Sequence, residues 1–529
     1  MLALDWIVIC AYLLGLLALA PPISDTSLPD LSRKQNSAAD YFLGGRKMPP
    51  GALAASTIAT QCSTNSLLGA PAFVGFVAGG GMIWLQYELA VPLAMLALLW
   101  LMLPARRYGV TSIYEILEIR LGRKTRLTAA ACFLLFRGVA TGVTIYASAL
   151  VIALILELDL FTAVLLIMTG TLLYDYLAGM TAVVISDVIQ LALLLGAVLF
   201  SLFFIGGLID WQFLAVDRKQ TLINDWGFSG QDYGFWPMLI GGIFLYAAYY
   251  GCDQSQAQRI LAARSETDTA KVLLYNGIFR FPIVLLYCFL GLGLAVLATQ
   301  DALIVDALPD TSAGEKNLNL VFPVFVLRYF EPGFIGLVMV GLIAASMSSI
   351  DSALNSLSAV TVEDFVRPHL NPDMNPQTLL SIGRACTLMW GLFAVVFAFQ
   401  VERIAPTVLE TVNKVGSMVN GPLLALIGSA MFLRGLAQRY ALLAFALGLI
   451  ANLFVALYLP AVSWLWWNVV GFVITLLTAA MAAKLGTMPA DPPGGVSLFP
   501  RPSPPRSFPP LLLAAFVAIF GVCLGLQTA

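Results

Sequence analysis

The sequence predicts an all-α polytopic membrane protein of about fourteen transmembrane helices, and three observations carry that expectation. Of its 529 residues, 60% are hydrophobic and 11% are charged, against about 25% charged in a soluble chain. The apolar residues form runs long enough to cross a bilayer, roughly 20 residues each. Two of these runs, five spans apart, are broken in their middles by polar residues and glycine, which fits a core of two inverted five-helix repeats.

The runs lie near residues 4–21, 51–78, 83–103, 127–156, 161–178, 181–208, 236–263, 270–298, 333–362, 377–399, 405–433, 440–459, 463–485 and 510–527. The first begins with Asp5 and no basic residue and shows no small-residue cleavage site, so it reads as a retained helix rather than a signal peptide. The second reads GALAASTIATQCSTNSLLGAPAFVGFVAGGG and packs Thr60, Gln61, Ser63, Thr64, Asn65 and Ser66 together. It is expected to break there and free backbone carbonyls, which a membrane tolerates only where they line a cavity or hold an ion.

The sixth run carries Asp187 close to one end. The seventh holds Gly251 among Tyr246, Tyr249, Tyr250, Asp253 and Gln254, a second interruption. Arg137 in the fourth and Arg280 in the eighth are cations with no evident partner, both able to snorkel toward the cytoplasm.

The ninth run contains GLIAASMSSIDSALNS, Gly341 to Ser356. At about 100° per residue, Ala345, Ser348, Ser349, Ser352 and Ser356 share one stripe, bordered by Asp351 and Asn355. Small residues let membrane helices pack closely, but a carboxylate beside hydroxyls also suits a hard cation. A charge at the centre of a membrane helix costs roughly 2.5–3.5 kcal/mol on insertion scales. Asp351 therefore binds a cation, pairs with a base or is protonated, and Arg137 is the basic side chain placed at comparable depth. In the eleventh run Glu410 and Lys414 stand at i,i+4 and neutralise each other.

Two long loops, about 209–235 and 299–332, hold much of the acidic surface, and the second includes NLVFPVFVLRYF, a short interfacial helix. The stretch 492–510 is a Pro-rich linker. Arg and Lys crowd the loops after odd-numbered helices, from Arg33 and Lys34 through Arg106, Arg120, Lys124, Arg259 and Arg264 to Arg501 and Arg506. The opposite side holds Arg218, Lys219, Lys316, Arg328 and Arg403. The positive-inside rule then puts both termini outside the cytoplasm of a multi-pass cell-membrane protein.

The net charge of −2 says nothing about nucleic acid, but no basic run suggests it, and no nucleic-acid partner is expected. Cys10, Cys62, Cys132, Cys252, Cys288, Cys386 and Cys523 have no ligand spacing and read as free thiols. With one histidine, His369, in a polar loop and no HExxH, no enzyme and no organic cofactor are expected.

ADYFLGGRKMP, TSIYEILEIRLG, SDVIQ, DQSQAQRILAA, AASMSSIDSALNS and KVGSMVNGP together resemble the sodium–solute symporter family over roughly residues 40–435. The resemblance implies a LeuT-type ten-helix core over 49–435, a first helix and cytoplasmic loop in 1–48, and three further helices in 436–529. It implies Na+ as coupling ion, held by carbonyls of Ala59, Cys62 and Ala345 with the hydroxyls of Ser348 and Ser349. Some members have a second cation site, which here would draw on Asp187, Asp351 and Ser352; they carry Ser or Thr where this chain has Asp351. The LLGAP and GP signatures lean toward carriers of monocarboxylates, iodide, vitamins and sialic acid, with solute contacts from Gln61, Ser63, Ser66, Gln86 and Tyr249. The expected function is sodium-coupled symport of a small polar organic solute, working in the lipid bilayer with no obligate protein partner. A membrane solute sensor and a proton-coupled carrier of the same fold are the alternatives.

Overall fold

The computed structural model describes residues 2–19, 43–177, 180–216, 222–223, 225–227, 233–311, 314–370, 374, 376–401, 408–485 and 504–528. These fold mainly into helices, with no strand among them, and ten helices are long and apolar enough to cross a membrane. Arg33, Lys34, Arg218, Lys219, Arg403, Arg501 and most of the Pro-rich stretch lie outside the described residues.

In chain order the helices are α1 (Ala3–Leu19), α2a (Pro50–Gln61), α2b (Thr64–Gly75), α3 (Met82–Arg107), α4 (Arg123–Leu156), α5 (Leu160–Leu177) and α6 (Met180–Leu208). Then come α7a (Gly242–Cys252), α7b (Gln254–Leu261), α8 (Glu266–Gln300), α9 (Phe334–Val360), α10 (Pro376–Ala398), α11 (Val408–Phe432), α12 (Gln438–Tyr458), α13 (Leu465–Leu485) and α14 (Phe508–Thr528). A short helix, Val321–Tyr329, occupies the second long loop where NLVFPVFVLRYF was expected to fold. His369 sits at the end of a helical turn, Arg367–Leu370, rather than in an open loop.

α9 is the axis of the bundle. It packs against α6, α4, α1 and α10, and its residues from Val338 to Val360 are buried. Its serines can sit there because each finds a hydrogen-bond partner, the condition for a polar group at membrane depth.

α2b lies against α8 at a distance that only small residues allow. A Cβ on Gly291 would come within 2.9 Å of the Pro71 backbone, and one on Gly75 within 2.7 Å of the Gly291 carbonyl oxygen. α1 is joined to α9 by Asp5, whose Oδ1 accepts from the N–H of Gly333 at 2.7 Å and of Gly336 at 2.8 Å. Asp5 thus satisfies two of the unpaired N–H groups at the start of α9 from a different helix. α13 packs on α11 and α12, and α14 leans on α3 and α8.

Candidate functional site

The second helix breaks where its polar cluster lies. Cys62 leaves helical geometry (φ −81, ψ 58) and Ser63 is extended (φ −81, ψ 178). The last carbonyls of α2a are thereby left without the N–H groups that a continuous helix would supply. Two of them are met by α9: Ser348 Oγ donates to Ala59 O at 3.4 Å, and Ser349 Oγ to Thr60 O at 3.1 Å. Both hydroxyls also lie against Ala345 O, at 3.3 and 3.2 Å.

The expected sodium ligands Ala59, Ala345, Ser348 and Ser349 are therefore brought to one place, with Cys62 at the break beside them. Carbonyl and hydroxyl oxygens without a fixed charge are the donor set that suits a monovalent hard cation. Ser352 of the stripe also faces α2, sharing a 3.2 Å hydrogen bond with Thr60, and Ser346, outside the stripe, shares one of 2.7 Å with Thr64. Ser356 instead donates to Ala353 O of its own helix.

Beside this junction lies a cavity of about 130 Å³, whose lining includes Gln61, Ser63, Ser66 and Tyr249. Thr60 and Ser349 line it too, so the cation junction and the cavity share a wall. Gln86 is not among the lining residues. Its amide is turned onto the Ile83 and Tyr233 carbonyls, at 3.2 and 3.5 Å. Gln61 accepts a short hydrogen bond from Tyr250.

Two ion pairs that sequence reading missed, one buried and one half-buried, also line the cavity. Arg280 meets Glu88 at 2.8 Å, and the hydroxyl of Tyr246 donates to Glu88 at 2.7 Å. Arg137 meets Asp253 at 3.2 Å and lies over the Tyr249 ring. The two arginines taken as partnerless are thus neutralised, by carboxylates 192 and 116 residues away. Arg280 Nη1 and the Tyr287 hydroxyl are buried with no hydrogen-bond partner among the described residues, leaving donors to spare at the cavity.

The seventh helix breaks at Asp253 (φ −75, ψ 119), two residues after the expected Gly251, and the Asp253 side chain caps α7b through Ser255 N–H at 2.8 Å. The segment before α4 clasps this break. Tyr114 donates to Cys252 O at 2.6 Å, while the Gln254 amide takes Ile113 N–H at 3.0 Å and Thr111 O at 2.9 Å.

Asp187 and Ser352 are brought together, but by an arginine. Arg259 Nη2 meets Asp187 Oδ2 at 3.0 Å and also donates to Ser352, while its Nε donates to Ser56 at 2.7 Å. Asp351 Oδ1 accepts from the N–H of Ser352 at 2.6 Å. The sequence reading places Arg259 in a cytoplasmic loop; in the structure it is 2% exposed, because α7b packs against α9 and α2a. The base beside the proposed second cation site is thus Arg259, not Arg137. Glu410 and Lys414 form the expected pair at 2.8 Å.

Residues 41–448 match the sodium:solute symporter family. The human sodium/iodide cotransporter is 30% identical over 435 residues, covering 80% of this chain and 66% of that one. Mouse sodium-coupled monocarboxylate transporter 1 is 29% identical over 440 residues, 80% of this chain and 70% of that one. The sodium/sialic acid symporter NanT of Aliivibrio fischeri is 25% identical over 494 residues, 91% of this chain and 93% of that one. The chain thus spans about two thirds of the length of these animal relatives. In fold it resembles a Na+-coupled sialic acid symporter solved in a substrate-bound outward-open state, with TM-score 0.78 and 22% identity over 92% of this chain and 98% of that one.

Proposed function

Because the chain belongs to the sodium:solute symporter family, we propose that it couples uptake of a small organic anion to the entry of sodium by alternating access. It is a membrane transporter and not an enzyme. The observation that carries the reading is the junction of α2 and α9, where the Ser348 and Ser349 hydroxyls meet the Ala59 and Thr60 carbonyls released by the helix break.

Sodium is the co-transported ion. Held by Ala59, Cys62, Ala345, Ser348 and Ser349, it would fasten α2 to α9 and place a positive charge behind the wall formed by Thr60 and Ser349. The cavity itself is balanced, Arg280 against Glu88 and Arg137 against Asp253. One sodium makes it net positive, and in a medium of low dielectric that charge is felt strongly. An anion is then held best when sodium is already bound, which is the requirement for coupling. The spare donors on Arg280 and Tyr287 favour an acceptor-rich solute. Monocarboxylates and sialic acid, named for two of the relatives, are organic anions of this kind, and iodide, named for a third, is an inorganic one.

Solute contacts are assigned to Gln61, Ser63, Ser66 and Tyr249. The position of a second cation is assigned to the Arg259 guanidinium, beside Asp187 and Ser352, so one sodium accompanies each solute. The remaining architecture follows the same reading: fourteen spans, a core of two inverted five-helix repeats in α2 to α11, and both termini outside a cell membrane. Rocking of one helix bundle against the other would release the Tyr114 and Gln254 clasp and open the second side.

Uptake of labelled iodide, short-chain monocarboxylate and sialic acid into proteoliposomes tests this, with sodium or choline outside. Concentrative uptake of the monocarboxylate or of sialic acid under the sodium gradient supports the reading, and uptake of iodide alone overturns the organic solute. Equal uptake with choline overturns it.

A further inference from the structure

Away from the cavity, an apolar groove of about 220 Å³ runs between α1, α4, α5 and α9. Ile9 and Leu16 of α1, Ile152 of α4, and Ile343 and Met347 of α9 are among its buried walls. No charged side chain lines it. Gly170 of α5 lines it as well, and a Cβ built there meets nothing within 4 Å. Close packing normally fills such space inside a protein. The rims are Leu13 of α1, 36% exposed, with Leu166 and Leu173 of α5 at 47% and 55%. On helices read as spanning a bilayer, side chains exposed at this level face hydrocarbon.

We propose that this groove is a lipid-binding site that takes one acyl chain of a bilayer phospholipid. Three features select that occupant. Apart from the Thr171 hydroxyl and the Trp6 indole the wall is apolar, and these two groups are too few to hold a headgroup or a polar solute. The groove is too narrow to admit a partner helix about 10 Å across. The opening between the exposed leucines gives directly onto the medium that supplies such chains. Hydrocarbon gains little by leaving other hydrocarbon, so the site works by fit, and its occupancy follows chain shape.

The site also reaches the transport machinery. Met347 precedes Ser348, and Asp5 fixes the other end of the α1–α9 contact. A chain seated in the groove would brace α9 from behind, on the face opposite α2. This second element rests on the sodium assignment to Ser348; the lipid site does not.

The test uses the full chain in bilayers of phosphatidylcholine carrying a mid-chain diazirine, with adducts mapped by mass spectrometry. The expected result is labelling of groove residues several-fold above that of Ile450 and Leu457, which are 61% and 64% exposed on α12. Gly170→Phe should lower groove labelling to the α12 level and leave α12 unchanged; Gly170→Leu serves if the larger residue prevents folding. Native mass spectrometry of the detergent-purified protein should show a retained phospholipid that these variants lose. Groove labelling no higher than on α12, labelling unaffected in a folded variant, or a polypeptide retained in place of lipid would overturn the site. Half-saturating sodium should shift at least about threefold in the filled variants. An unchanged value alongside lost labelling would overturn the link to α9.

Discussion

Asp187 and Arg259, both buried, face each other at 3.0 Å between Oδ2 and Nη2. Removing one member of such a pair strands the other charge, at roughly 3–5 kcal/mol. Arg259→Ala should therefore lower the thermal midpoint sharply or abolish folded yield. The double variant Asp187→Asn, Arg259→Gln, which keeps polar partners without charge, should recover much of the loss. Midpoints of Asp187→Asn, Arg259→Gln and the double in one detergent check this; additive losses would mean that the pair is not coupled.

Gln61 is held by the Tyr250 hydroxyl at the cavity wall. Gln61→Ala should raise the half-saturating solute concentration about tenfold, the equivalent of 1.4 kcal/mol, with sodium activation unchanged at saturating solute. Tyr250→Phe should give a smaller rise in the same constant. Uptake kinetics in vesicles measure both.

Glu88 cancels the charge of Arg280 in a cavity that is otherwise balanced. Glu88→Gln leaves that cavity one charge more positive before sodium arrives. Anion binding without sodium should strengthen about tenfold, and the gain on adding sodium should shrink. The variant will be less stable, because Arg280 is left buried and uncompensated, so the labelled anion should also raise its thermal midpoint.

Asp5 caps α9 from α1, and the α1 backbone crosses close to Gly336, where a Cβ would lie 2.7 Å from the Asp5 Cα. Asp5→Ala should cost about 1–2 kcal/mol, the upper range for a lost helix cap. Gly336→Ala should cost at least as much by forcing the helices apart. Thermal unfolding of purified protein compares them; equal midpoints for wild type and Asp5→Ala would mean the cap contributes nothing.

The helices were legible because a bilayer demands apolar runs of fixed length and satisfied backbones. The break in α2 was legible for the same reason, since six polar residues from Thr60 to Ser66 have no place in an unbroken apolar helix. The pairing of charges was not. Glu88 with Arg280 and Asp187 with Arg259 join residues 192 and 72 apart, and no local pattern announces either. Arg259 reads as a loop cation because it stands near the charged end of its run, and only the fold packs α7b against α9 and α2a. Gln86 looked like a solute ligand, yet the Ile83 carbonyl three residues before it takes the amide.

The central claim is that sodium at the α2–α9 junction makes the solute site, and solute binding by purified protein as a function of sodium tests it most directly. The measurement compares wild type with the double variant Ser348→Ala, Ser349→Ala, using whichever labelled anion the uptake panel identifies. Wild type should bind that anion more tightly as sodium rises, up to a plateau, while the double variant should bind weakly at every sodium concentration. A double variant that keeps the wild-type sodium response would contradict the account.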